Sequence, residues 1–311
     1  MSIAQPTASD RRLAMPPRPA LDWVTRAVGP RAAVIAVKPL TGGASHGNHI
    51  VRVRDGGGQE LDLVLRRWVR PDWRETDPQF TPEQEASTLR LLSSSSVPAP
   101  RLVAADPDAT ECDVPAILTT LAPGSRLTLP ADMLAVVRQL AEALPAIHAI
   151  DPAVAALTVP AYRPYYDPDE IRPPPWTSRP GLWEDAIGLA TDRAPAGERC
   201  FIHRDYHPGN TLWLDGRLSA IVDWTTASFG SPSVDLSHMR ANLAMSFDQA
   251  TADAFLAGHE VMSASRVWDP YWDLRVAVDF LPDLPSKIDA SLQRLEAFVE
   301  RALALVGHPS R

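Results

Sequence analysis

Residues 200–223 constrain the fold of this 311-residue chain more tightly than any other stretch. Cys200-Phe201-Ile202 is a short apolar segment with strand character, and Thr211-Leu212-Trp213-Leu214 is a second. Asp215-Gly216 follows, a dipeptide that tolerates the left-handed backbone of a two-residue hairpin turn, and Leu218 to Val222 reads as the returning strand. An antiparallel return carries Asp223 back beside Asn210. The loop between the first two strands reads His203-Arg204-Asp205-Tyr206-His207-Pro208-Gly209-Asn210, with Pro208 and Gly209 stiffening and bending it. Amide and carboxylate oxygens from Asn210 and Asp223 thus converge on one point, a donor set suited to a hard divalent cation.

An Asp, an Asn five residues on, and a second Asp closing a hairpin is how a phosphoryl-transfer site sets a base beside two oxygen ligands for Mg²⁺. A rival chemistry is a metal hydrolase with His203, Asp205 and His207 as direct ligands, because alternate residues of an extended segment point to one side. No further His-Asp set at ligand spacing appears downstream, and such sites need more than one three-residue cluster.

The motifs resemble those of the aminoglycoside phosphotransferase and choline kinase-like family, relatives of the protein kinases. His203-Arg204-Asp205-Tyr206-His207-Pro208-Gly209-Asn210 matches its catalytic loop, and Ile221-Val222-Asp223-Trp224 its metal strand. Gly230-Ser231-Pro232-Ser233-Val234-Asp235-Leu236 matches a third motif at the right separation. The resemblance implies an α+β fold of two lobes, protein kinase-like, with a small antiparallel N-lobe (residues 1–121) and a mainly helical C-lobe (residues 122–311). It implies Asp205 as catalytic base, Asn210 and Asp223 as Mg²⁺ ligands, and ATP or GTP as co-substrate. His203 and Arg204 are expected to brace the loop, His207 to support or pack behind it, and Asp235 to cap the next helix or tie it to the loop. About ten residues separate Asp223-Trp224 from that helix, too few for a long regulated activation loop, which argues against a protein substrate.

The N-terminal third reads as sheet and helix. Ala33 to Leu40, Ile50 to Arg54 and Glu60 to Trp68 have strand patterning, separated by a glycine-bearing turn and by Asp55 to Gly58. Gly42, Gly43 and Ser45 in the first turn are expected to bring backbone N–H groups and a hydroxyl to phosphate oxygens. A kinase-like site wants a cation on the third strand held by a helix carboxylate. Arg66 stands where the pattern most often has lysine; Arg67 points to the other face. Thr81-Pro82-Glu83-Gln84 starts a helix well, with Thr81 as cap. Glu85 shares a side with Leu89 and Leu92 and so faces inward as the partner of Arg66, with exposed Glu83 as the alternative. Ala116 to Leu121 reads as a strand running into the connection between lobes, where the resemblance places Thr120 and Leu121 at the nucleotide.

Farther on, helices are expected over Ala131 to Ile150, Leu182 to Arg193, Val234 to Met245, Gln249 to Ser263 and Lys287 to Val306. The acceptor is a small-molecule hydroxyl, on an aminoglycoside-like antibiotic or a metabolite. Two stretches are candidates to meet it: a Pro-aromatic insertion over Pro160 to Pro180, and Trp268-Asp269-Pro270-Tyr271-Trp272-Asp273. The excess of acidic over basic residues from Phe247 to Arg311 is compatible with a cationic acceptor. A different class of function is a catalytically inactive, nucleotide-binding regulatory protein, motivated by Arg66; intact Asp205, Asn210 and Asp223 argue against it.

A net charge of −8 gives nucleic-acid binding no electrostatic support. The two cysteines, Cys112 and Cys200, lie far apart without a CxxC pattern, as expected of buried thiols in a reducing compartment. The first 20 residues are polar and proline-rich, and no run of 18 apolar residues occurs. A cytoplasmic protein without membrane contact is expected.

Overall fold

The computed structural model describes residues 12–40, 46–76, 78, 80–129, 132–167, 170–192, 194–263 and 268–307. They form an α+β protein of two compact units. The first unit runs to Pro123 and includes Trp224–Thr226; the second comprises Gly124–Asp223 and Ala227–Arg311.

In the first unit, β1 (Ala33–Pro39), β2 (Gly47–Arg54), β3 (Glu60–Arg67), β4 (Leu102–Asp106) and β5 (Ala116–Thr120) form one sheet in the order β1-β2-β3-β5-β4. Every neighbouring pair is antiparallel. Helix α1 (Arg18–Val28) covers one face, where its Ala20, Trp23 and Val24 meet Val51, Val53, Leu63, Leu65, Ala116 and Leu118. These strand residues alternate along their strands, as a half-buried sheet requires. After a single helical turn, α2 (Trp73–Thr76), comes α3 (Pro82–Leu92). The Thr81 hydroxyl accepts from Gln84 N at 3.1 Å, and Pro82 supplies the first helical residue without losing a bond.

The β4–β5 connection is closed by one buried carboxylate. Asp106 accepts from the backbone N–H groups of Thr110, Glu111 and Cys112 at 2.7–2.9 Å and from the Thr110 hydroxyl at 2.8 Å. Burial pulls the Asp106 pKa upward, but these donors outweigh it and hold the group below its ordinary value. Its contribution is therefore present above the unfolded carboxylate range and is lost as pH falls through the lowered folded value. Asp106→Ala strands three backbone donors and is expected to cost about 3 kcal/mol in urea unfolding; an unchanged midpoint would refute this role.

The second unit is mainly helical: α4 (Met133–His148), α5 (Pro152–Thr158), α6 (Pro180–Thr191), α7 (Ser233–Ser246), α8 (Gln249–Ser263), α9 (Pro270–Phe280) and α10 (Ala290–Val306). Helix α7 is buried on all sides and packs against α8, α9 and α10, so polar and apolar residues alike lie inside. Two small ribbons complete the unit: β6 (Cys200–Ile202) pairs with β9 (Ser228–Gly230), and β7 (Thr211–Leu214) with β8 (Arg217–Ile221). Asp215 and Gly216 hold φ of 50° and 73°, the two left-handed residues of the expected hairpin turn. Gly124, at φ 97°, lets the chain run close to the Trp213 carbonyl, where a Cβ would lie 2.6 Å from the oxygen.

The structure reassigns the second stretch suggested for the acceptor. Trp268 to Asp273 does not form an open platform. Asp269 caps α9 through Tyr271 N at 2.8 Å, and Tyr271 and Trp272 are buried against Cys200, Ile202 and Val234. Asp273 is buried and binds Arg240 and Trp268. Helix α9 is not among the helices expected from the sequence, because its Pro and aromatics mimic a loop; the Asp269 cap and Pro270 in the first turn are the start signal. In the other stretch, Tyr162 N bonds Phe229 O at 3.0 Å and the Tyr162 ring packs edge-on to Trp272, so the insertion's first turn is laced into the core.

Burial pushes the thiols of Cys112 up to about 11 and Cys200 up to about 12, so neither is a thiolate at neutral pH. Among the described residues, no single helix is long and apolar enough to cross a membrane.

Candidate active site

Strand β3 positions the cation of the first unit. Its register with β2 sets Arg66 opposite Asn48 and Arg67 opposite Gly47. Because side chains alternate, the two arginines leave on opposite faces. Arg67 is buried and makes a two-pronged pair with Asp113. Arg66 Nη1 lies 2.5 Å from Glu85 Oε1 and 3.0 Å from the Thr225 hydroxyl, and its Nε is 3.3 Å from Asn48 Oδ1. Thr225 in turn donates to Glu85 Oε2 at 3.1 Å. Glu85 is buried and Glu83 exposed, so the helix face set by Leu89 and Leu92 selects Glu85. The guanidinium is anchored on two nitrogens, a grip that a lysine ammonium could not reproduce.

In the second unit, Asp235 in the first turn of α7 organises the start of the loop from His203 to Asn210. Its fully buried carboxylate accepts from His203 N at 3.0 Å and Arg204 N at 2.7 Å, and His148 Nε2 lies 3.0 Å from Oδ2. It therefore ties the loop to the helix; the cap position of α7 belongs to Pro232. Arg204 holds φ at 70°, left-handed for a non-glycine residue, and Asp235 fixes that conformation through its N–H. The His203 ring turns away, with Nε2 3.0 Å from Val222 O, and the Arg204 guanidinium stacks over Tyr165 at 4.0 Å. Both brace the loop.

Asp205 is the carboxylate left at the surface of this scaffold, with its side chain 30% exposed. Asn210 Nδ2 donates to Asp205 Oδ2 at 2.8 Å and to its carbonyl at 3.0 Å. Two histidines flank the other oxygen: Nε2 of His238 at 3.3 Å and Nε2 of His207 at 3.8 Å from Oδ1. His207 Nδ1 accepts from Gly209 N at 3.2 Å, so the proton of the neutral ring sits on Nε2. Desolvation lowers the His207 pKa, against the pull of Asp205. A Cβ on Gly209 would come within 2.6 Å of the His207 ring, which is why the loop needs glycine there.

Asn210 and Asp223 are the two residues whose oxygens would face a cation in the arrangement expected from the sequence. Because Nδ2 of Asn210 is spent on Asp205, its Oδ1 is the atom that a cation would meet. Val222 N donates to Asn210 O at 2.9 Å, which sets the residue before Asp223 against Asn210 as the hairpin reading expected. Asp223 holds φ at 65°, left-handed like Arg204. Amide and carboxylate oxygens suit Mg²⁺. Among the described residues, no group of three His, Cys, Asp or Glu is spaced to hold a metal ion, which leaves the hydrolase alternative without a ligand set.

Gly42, Gly43 and Ser45 lie outside the described residues. Thr120 and Leu121 are partly buried at the end of β5, where Thr120 N bonds Arg101 O at 2.9 Å and Leu121 N bonds Asp62 O at 3.1 Å. Sequence reasoning missed His238 and Thr225. The signal for His238 was its place one helical turn after Asp235.

Among solved structures, macrolide 2'-phosphotransferase MphH from Brachybacterium faecium is 23% identical, with 94% of this chain and 98% of that chain covered and a TM-score of 0.59. A thermostable mutant of aminoglycoside phosphotransferase APH(4)-Ia, in a ternary complex with ADP and hygromycin B, is 16% identical, with 91% and 97% covered and a TM-score of 0.58. Another mutant of that enzyme, with AMP-PNP and hygromycin B, is 16% identical, with 93% and 99% covered and a TM-score of 0.61. At these identities the likeness establishes the kinase-like fold. No curated protein matches the chain. The family description "phosphotransferase enzyme family" matches residues 36–274, which take in Arg66, Glu85, Asp205, Asn210 and Asp223. The chain belongs to that phosphotransferase enzyme family, as a small-molecule kinase acting on hydroxyl groups.

Proposed function

We propose that this enzyme transfers the γ-phosphoryl group of ATP, as its Mg²⁺ complex, to a hydroxyl of a sugar-bearing small molecule, an aminoglycoside- or macrolide-like antibiotic or a metabolite of that kind. The observation that carries the reading is the Asp205 carboxylate, gripped on one oxygen by Asn210 and open in part to solvent. The acceptor hydroxyl donates a hydrogen bond to Asp205, which orients it and takes its proton as the new O–P bond forms and ADP leaves. Asn210 and Asp223 would hold the metal, which would neutralise charge on the phosphate oxygens. Arg66, fixed by Glu85, Thr225 and Asn48, neutralises phosphate charge in the first unit. Gly42, Gly43 and Ser45 cover the phosphates, and Thr120 and Leu121 meet the nucleotide. ATP is favoured over GTP because solved structures of the same fold hold ADP and AMP-PNP. The reading sets the enzyme in the cytoplasm, where ATP and Mg²⁺ are supplied.

The test is nucleoside-diphosphate release from ATP and from GTP, with Mg²⁺, across aminoglycosides, macrolides, amino alcohols and sugars. Acceptor-dependent ADP release that Asp205→Asn abolishes is expected. Tight nucleotide binding without acceptor-stimulated release across the panel would instead favour a nucleotide-binding regulatory protein. Arg66→Lys keeps the charge but loses the fork, and is expected to lower kcat/KM for ATP about tenfold with the acceptor KM unchanged. Equal rates for the two proteins would show that charge alone suffices.

A further inference from the structure

Helix α7 carries Asp235, His238 and Asn242 at successive turns of one side, and each meets the catalytic loop or supports a residue that does. Asp235 holds the loop backbone. His238 reaches the reacting carboxylate itself, with Nε2 3.3 Å from Asp205 Oδ1 and its side chain only 7% exposed. Behind it, Asn242 Nδ2 lies 3.4 Å from His238 Nδ1 and donates to His238 O at 2.9 Å. An amide nitrogen donates only, so Nδ1 is the bare nitrogen and Nε2 carries the proton, facing Asp205. The Phe280 ring, from the end of α9, packs edge-on at 5.0 Å between centroids, and His207 lies at 5.7 Å.

We propose that His238 is a positioning residue for the base: its neutral imidazole, backed by Asn242, presents Nε2–H to Asp205 Oδ1 and fixes the rotamer in which that carboxylate meets the acceptor hydroxyl. What Asp205 does in this statement rests on the phosphotransferase reading above. With Asn210 on Oδ2 and His238 on Oδ1, each carboxylate oxygen keeps a lone pair for the acceptor while the group loses its freedom to rotate. Neutrality matters, because an imidazolium at this distance would compete for the electron pair that must accept the proton. The groups that face the ring are Asp205, His207, Asp235 and the Tyr206 backbone carbonyl. Desolvation dominates and lowers the His238 pKa to about 4, so the ring is uncharged at neutral pH.

The test combines kinetics with a readout that does not need turnover. His238→Leu matches the bulk without the donor, and His238→Gln places an amide N–H near Nε2. The Leu variant is expected to lose about 30-fold in kcat, with both KM values and the melting temperature near those of the wild type. The Gln variant is expected to stay within about threefold of wild type. In full-length protein labelled with ¹⁵N-histidine, His238 is expected as the neutral Nε2–H tautomer at pH 7, with its Nε2 proton resonance moved by Asp205→Asn. Wild-type kcat in the Leu variant, equal losses in the Leu and Gln variants, an Nδ1–H tautomer or a protonated ring would each overturn the proposal. A wild-type protein that releases no nucleoside diphosphate with any acceptor overturns the phosphotransferase reading instead; the tautomer and its response to Asp205→Asn then still decide whether His238 holds Asp205.

Discussion

Asp205→Asn is expected to lower kcat about 10³-fold while the affinity for Mg²⁺-nucleotide stays within about twofold of wild type. The substitution is nearly isosteric. The amide oxygen can still accept from Asn210 Nδ2, its NH2 then faces His238 Nε2, and the Asp235 contacts to His203 N and Arg204 N hold the loop's shape, but an amide cannot take a proton from the acceptor hydroxyl. The loss should therefore fall on the chemical step and leave nucleotide binding alone. Initial rates of nucleoside-diphosphate release give kcat, and an equilibrium titration with nucleotide gives the affinity. A variant with a tenth of wild-type turnover would remove Asp205 from the role of base. A variant that also fails to bind nucleotide would mean that the carboxylate belongs to the metal set.

Asp235→Ala is expected to be the most destabilising of the substitutions considered, at about 4 kcal/mol. The residue is fully buried, and its carboxylate is the acceptor for His203 N and Arg204 N and the partner of His148. Removing it leaves two backbone donors and an imidazole without their acceptor inside the second unit. The left-handed Arg204 also loses the contact that holds it there. Against a total stability of about 5–15 kcal/mol, such a loss should lower the urea midpoint visibly and make the loop susceptible to proteolysis. Asp235→Asn keeps one acceptor oxygen and should cost about half as much. An Ala variant that unfolds at the wild-type midpoint would show that the loop is held by other contacts.

Much of this architecture was legible because it is local. The hairpin from Thr211 to Ile221 follows from two apolar runs and an Asp-Gly turn, and connectivity alone then returns Asp223 toward Asn210. Helix α3 begins where Thr81 and Pro82 place it, and helical periodicity picks Glu85 over Glu83. Strand alternation separates Arg66 from Arg67 before any partner is known. The stretch that reads two ways is Trp268–Asp273. Its density of aromatics resembles a binding surface, yet a capped helix start next to a buried ribbon yields the same composition.

The sequence by itself determined which polar residues the loop and hairpin bring together, because the motif spacings lie within single turns and hairpins whose geometry is set by a few neighbouring dihedrals. Only the tertiary structure decided how those residues are held. Thr225 joins Arg66 and Glu85 from 159 and 140 positions away, and His148 meets Asp235 from 87. His238 approaches Asp205 only because α7 is packed in the centre of its unit, where burial also strips its charge. Each of these residues is ordinary in its local stretch. Its role arises from helix packing that brings distant polar groups into a low-dielectric interior, where an unmet hydrogen bond is costly and a met one fixes a rotamer.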